Sequence, residues 1–277
     1  QYLPDKSSSS NGVIIIDNRD NLNVSELTSK NWVTINTNDE YTIAEYKYDK
    51  SIYFDFIPKF NSGYDSYFIY NEYNDEDDNI VTRKIVSNVL PTLMRFGSSD
   101  GSGVGDYTRE SSLLEVMKLI TDNLNDMSLM FYNCNNLTQL DASNFNTSKV
   151  TSMYAMFSTC RNLTQLDLSN FNTSSVTDMR SMFNSCTNLT QLNVSNFNTS
   201  NVTTMAYMFN GCTNLTQLDV SNFNTSKVTD MYSMFHNCIN LTQLDVSNFD
   251  TSKVNTMQNM FYNCSNLTQL DVSNFNT

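Results

Sequence analysis

Cys160-Arg-Asn-Leu163-Thr-Gln-Leu166-Asp-Leu168-Ser-Asn-Phe171-Asn-Thr173-Ser-Ser-Val176-Thr-Asp-Met179-Arg-Ser-Met182-Phe183-Asn-Ser185 is one period of a pattern that returns every 26 residues. Cys134, Cys160, Cys186, Cys212, Cys238 and Cys264 mark the period. A fixed period of this length is the signature of stacked supersecondary units. No single copy can bury its own apolar face, so neighbouring copies must supply one continuous interior.

Within the unit, Leu166 and Leu168 alternate with Gln165 and Asp167. A strand places residues two apart on one face, so the leucines point inward and Gln165 and Asp167 outward. The second half carries apolar residues at Val176, Met179, Met182 and Phe183. That spacing predicts one stripe of a short helix, with Thr173 or Ser174 placed to cap its first turn. The fold class expected is therefore an α/β repeat solenoid, with short parallel strands plus short helices. Copies differ mainly at positions such as Tyr154, Arg180, Ala206, Tyr232 and Gln258, expected on the convex side.

The unit L-D-x-S-N-F-N-T-S-x-V-T-x-M-x-x-M-F-x-x-C resembles the BspA-like leucine-rich repeats of bacterial surface proteins, over residues 124–277. The resemblance implies a cell-surface or secreted protein that mediates adhesion to host molecules or other cells. It implies a binding scaffold and names no ligand.

Upstream, Val13–Ile16, Trp32–Ile35, Ile52–Ile57 and Tyr67–Tyr70 are β-branched or aromatic runs bounded by Asn, Asp and Ser. They predict a small β-rich N-terminal domain over residues 1–96, sandwich-like or irregular. Residues 97–108, with glycines at 97, 101, 103 and 105, read as a linker. Ser112-Leu-Leu-Glu115 has the form of a capping box and predicts a helix over 109–123 that shields the first repeat. Six repeats then fill 124–277, the last ending mid-unit.

The chain of 277 residues carries a net charge of −13, and residues 1–123 hold 20 acids against 11 bases. Phosphate backbones need clustered Lys and Arg, which excludes nucleic acid as the expected partner. No apolar run approaches the roughly 20 residues of a membrane span, so membrane insertion is not expected. One cysteine per repeat forms one internal column, where parallel side chains offer a poor disulfide dihedral. Buried free thiols acting as small apolar residues are expected. His236 is the chain's one histidine and sits where other copies have Ser158, Asn184, Asn210 and Tyr262, so no catalytic triad is expected. Asp75-Glu-Asp-Asp78 reads as a solvated loop, lacking the glycine and spacing of a calcium loop. The Asn-x-Ser/Thr tripeptides read as parts of the repeat's turns more than as glycosylation sites.

The outward columns are the candidate ligand surface: Gln165, Asp167, Gln191, Asn193, Gln217, Asp219, Gln243 and Asp245. A host or cell-surface protein or glycan is the expected partner, at the cell surface or outside the cell. No cofactor is expected, with a calcium ion on the aspartate column as the sharper alternative. The second reading is a structural assembly protein, a virion decoration or fibre protein or a filament subunit, anchored through its N-terminal domain at a virion or filament surface, with self-assembly through the solenoid ends.

Overall fold

The computed structural model describes residues 13–17, 42–51, 59–60, 67–73, 79–86, 94–96 and 113–276. From residue 113 onward the chain winds into stacked coils, the first offset by 24 residues and the later ones by 26. Gln165–Leu166 (β9) and Gln191–Leu192 (β10) pair in parallel, as expected for the inward-outward alternation. Gln139–Leu140 (β8) is the equivalent strand one coil earlier, and Gln217 bridges Gln243 in later coils. Leu166, Leu168, Phe171, Val176, Met179, Met182, Phe183 and Cys186 are all buried, and the same positions are buried from Leu140 to Phe249, while Val254, Met257, Phe261 and Cys264 in the last coil are partly buried.

The expected short helices are not formed: the described residues contain no helix. The Met-x-x-Met-Phe segments are chains of turns that pair with their neighbours. The N–H groups of Met153, Ala155, Phe157 and Thr159 donate to the carbonyls of Asp178, Arg180, Met182 and Asn184 in the next coil, at 2.7–3.0 Å. The alternate N–H groups close local turns instead, as Met156 does on Met153 and Ser158 on Ala155. Ala155 and Thr159 make this possible by adopting left-handed φ values of 50° and 65°, and each later coil repeats the pair. An α-helix keeps all its N–H groups within the segment. Here every second one reaches across to the next coil, and Asp126, Ser152, Asp178, Thr204, Asp230 and Thr256 form a second parallel bridge column. Left-handed non-glycine residues cost about 1–2 kcal/mol each, which the cross-coil ladder offsets. The expected helix caps are corrected in the same way. Thr173 Oγ1 donates to Asn198 O of the next coil, and Ser174 donates to Asn172 Oδ1.

The expected helix over 109–123 is also replaced: Leu113–Leu119 (β7) is a strand. It pairs in parallel with β8, Glu115 opposite Gln139 and Val116 opposite Leu140, and so stands as the coil before the first cysteine. On its other side lies Thr42–Asp49 (β2), antiparallel. The sheet continues through Ile80–Val86 (β5), Tyr67–Tyr73 (β4) and Val13–Asp17 (β1), in the order β1-β4-β5-β2-β7-β8. β1 and β4 coincide with two of the expected strands. Trp32–Ile35, Ile52–Ile57, Asp75–Asp78 and the linker 97–108 lie outside the described residues. In β2, Ala44, Tyr46 and Tyr48 are buried between half-exposed Glu45, Lys47 and Asp49, a period-2 signal the sequence reading passed over. Lys59–Phe60 (β3) and Met94–Arg95 (β6) make a small separate pair.

One aromatic column joins the two parts. Phe96 stacks on Phe131 at 5.5 Å, and Phe157, Phe183, Phe209, Phe235 and Phe261 follow at 5.6–5.8 Å with ring planes within 10° of parallel. Tyr46 meets the edge of Phe96 at 5.2 Å, so the N-terminal sheet touches the column directly.

Candidate binding surface

The strand side of the coils is built by residues whose inner neighbours are locked. Leu166 and Leu192 are buried, which fixes exposed Gln165, Asp167, Gln191 and Asn193 on the outer face. Gln217, Asp219, Gln243 and Asp245 are likewise exposed and continue the same columns. The first three rungs bound a shallow groove of about 700 Å³, with Gln139, Asp141, Gln165, Asp167, Gln191 and Asn193 among its walls. The structure thus gathers the first four predicted residues into one concavity and leaves the other four as an extension beyond it.

The acidic column does less unassisted than its charges suggest. In every coil the Asp or Asn side chain accepts the backbone N–H of the serine two residues on. The distances are 2.9 Å for Asp167 with Ser169, 3.0 Å for Asn193 with Ser195 and 3.0 Å for Asp219 with Ser221. Hydrogen bonds from the serine hydroxyl and the serine backbone N–H together hold the carboxyls of Asp141, Asp167, Asp219, Asp245 and Asp271 below the usual carboxylate range, the hydroxyl weighing more at Asp141, Asp219 and Asp245 and the N–H at Asp167 and Asp271. Neighbouring rungs oppose the effect: Asp141 raises Asp167, and Asp245 raises both Asp219 and Asp271. Asn193 interrupts the column and makes the same turn without a charge. Among the described residues no group of three His, Cys, Asp or Glu side chains is arranged to hold a metal ion.

The six thiols are free, five of them buried and Cys264 half-buried. They do more than fill space. Cys186 Sγ donates to Phe157 O at 3.1 Å, and Cys160, Cys212, Cys238 and Cys264 repeat the contact to the phenylalanine carbonyl 29 residues earlier. Burial pushes the Cys186 thiol up to about 12. A thiol so far from ionisation is a poor nucleophile. Asn162, Asn188 and Asn214, the sequon asparagines, form an amide ladder at 3.4–3.5 Å. His236 lies with its ring 5.1 Å from Tyr262 on the next rung.

The sequence matches the family described as "Mycoplasma protein of unknown function, DUF285" twice, at residues 106–193 and 185–277. The chain belongs to this family. Neither the curated proteins nor the solved structures provide a match. The first family match begins upstream of β7, the strand that the structure places as a coil of the solenoid. The family's unit therefore covers the junction as well as the cysteine-marked coils.

The turn side, half a coil away, carries what sequence reading under-weighted. Of the variable positions expected there, Tyr154, Arg180 and Gln258 are exposed, Tyr232 is half-buried and Ala206 is buried. Tyr207, which varies just as much, is exposed and lies 5.1 Å from Tyr232. A helix with Val202, Met205, Met208 and Phe209 inward would also face Tyr207 outward, so its exposure was open to the sequence even though the segment is a run of turns with Tyr207 at a left-handed φ of 59°.

Proposed function

We propose that this chain is a non-enzymatic binding module of the cell surface or extracellular space, whose coils are leucine-rich repeats of the BspA-like kind. Its strand face meets a protein or glycan of a host or another cell. The groove over Gln139, Gln165 and Gln191 carries the reading. It offers exposed amides and carboxylates on rungs whose interior side chains are committed to rung-to-rung contacts, a preorganised polar surface that costs little entropy on binding. The adhesion role rests on the resemblance of the repeat unit, and the groove supplies its geometry.

Glycan arrays and matrix-protein panels probed with this chain test the reading. Binding should fall at least tenfold in Gln165→Ala/Gln191→Ala with the thermal midpoint unchanged, since both side chains are exposed. A chain that binds nothing in either panel but self-associates in light scattering would overturn it in favour of an assembly role.

A further inference from the structure

The second bridge column carries three acids, Asp126, Asp178 and Asp230, separated by Ser152 and Thr204. The first two hold arginines of this chain. Asp126 receives Arg95 at 3.4 Å. Asp178 receives Arg180 through both Nε and Nη2, the shortest contact being 2.6 Å, while the guanidinium lies 5.1 Å from the centre of the Tyr154 ring. This combination of a carboxylate and a tyrosine face suits a planar cation.

Asp230 differs. Its Oδ1 accepts the Tyr232 N–H at 2.9 Å, but among the described residues it makes no ion pair. Where the preceding acid is followed by Arg180, Asp230 is followed by Tyr232, and Tyr207 on the rung before is exposed by 38%. The two rings meet at 5.1 Å with a tilt of 59° beside the carboxylate. Tyr207 also holds a left-handed φ of 59° at a position filled by Ala155, Ser181, Ser233 and Asn259 in other coils. A bulky side chain there is uncommon.

We propose that Asp230, Tyr207 and Tyr232 form a receptor for an arginine side chain of a partner protein, supplying from outside the cation that Arg95 and Arg180 supply from within. The partner is a segment with an exposed arginine, favoured further by the chain's net charge of −13. The inference deepens the binding-module reading and rests on it, while placing a contact on the turn side, apart from the strand-face groove.

A fluorescently labelled hexapeptide of alternating arginine and serine is the probe, with lysine–serine and citrulline–serine counterparts, read by anisotropy against the full chain. The arginine peptide should bind, the lysine peptide at least tenfold more weakly, and the citrulline peptide not at all. Asp230→Asn and Tyr207→Asn should each weaken the arginine peptide at least tenfold. Asn259 already occupies the equivalent left-handed position, so Tyr207→Asn should melt no lower than the parent. Asp219→Asn on the strand face should leave peptide binding unchanged. No binding of the arginine peptide at millimolar concentration overturns the inference. So does equal binding of the arginine and lysine peptides that ignores Asp230→Asn, which would mean diffuse charge attraction. Loss in Asp219→Asn alone would also overturn it while leaving the strand-face reading intact, and that reading is tested separately by the glycan and matrix panels.

Discussion

Thr199 shows how a single side chain fixes the stacking of two coils. Its hydroxyl donates to Asn224 O at 3.0 Å and accepts from Asn224 N at 2.7 Å, so one buried oxygen serves both backbone groups of a residue in the next coil. Thr147 and Thr173 do the same toward Asn172 and Asn198. Threonine fits because the hydroxyl is at once donor and acceptor and the methyl completes the packing. Thr199→Val keeps the shape and strands both partners, so it should destabilise the chain by about 1–3 kcal/mol in urea titration. Thr199→Ser keeps the hydroxyl and loses one methyl, for a cost of about 0.8 kcal/mol. Equal losses in the two variants would show that the methyl, and not the paired hydrogen bonds, holds the rung. The equivalent position one coil earlier, Thr173, is with Ser174 the helix cap that the sequence predicts. The reading had the right chemistry, a hydroxyl seeking backbone groups, and the wrong partner, because a cap looks to its own segment and this residue looks 25 positions ahead.

At the scale of the element, the strand segments were legible and the Met-Phe segments were not. Gln165 and Leu166 alternate in and out, and period 2 admits one interpretation when neighbours stack. Val176, Met179, Met182 and Phe183 fit a helical stripe equally well as a run of turns that alternately reverse hand, and only the cross-coil partners decide between them. The left-handed residues that reveal the turns are mostly Ser, Asn and Ala here, with Gly211 the lone glycine, so the usual glycine signal was missing. The flattened segment also places each cysteine from Cys160 onward against the carbonyl of the previous coil's phenylalanine. A thiol whose folded pKa is raised contributes stability that is complete below its unfolded value of 9.0 and is lost as pH rises toward about 12, the Cys186 position. Unfolding in urea should therefore become progressively easier above pH 9, and less so in Cys186→Ala/Cys212→Ala. Thiol-specific reagent at neutral pH should label half-buried Cys264 first and reach the five buried thiols only on unfolding. Rapid labelling of all six in the folded chain would contradict the buried ladder.

At the scale of the molecule, the question is whether the N-terminal sheet and the coils unfold together. Sequence placed a separate β-rich part before the repeats, because the 26-residue period fades upstream of Leu124. The strand β7 departs from the repeat spacing, Glu115 pairing with Gln139 only 24 residues on, and this irregularity concealed that it belongs to the stack. Phe96 is fully buried, stacks on Phe131 and contacts Tyr46, and its N–H donates to Met130 O at 2.7 Å. It is thus the first ring of the column, contributed from outside the cysteine-marked coils. In a solenoid, stability is close to a sum of unit and nearest-neighbour terms, and an end without its cover frays. Phe96→Ala should cost about 3–5 kcal/mol at that interface. Hydrogen exchange gives the discriminating readout. The coil at Met127–Phe131 should lose protection most, the coil at Met153–Phe157 less, and the coils beyond Met205 little, since each coil senses its neighbour before it senses the cap. A uniform loss across all coils would mean that the sheet and solenoid form one all-or-none unit. Loss confined to residues before 113 would mean that the aromatic column begins at Phe131, with Phe96 resting on it and supporting nothing.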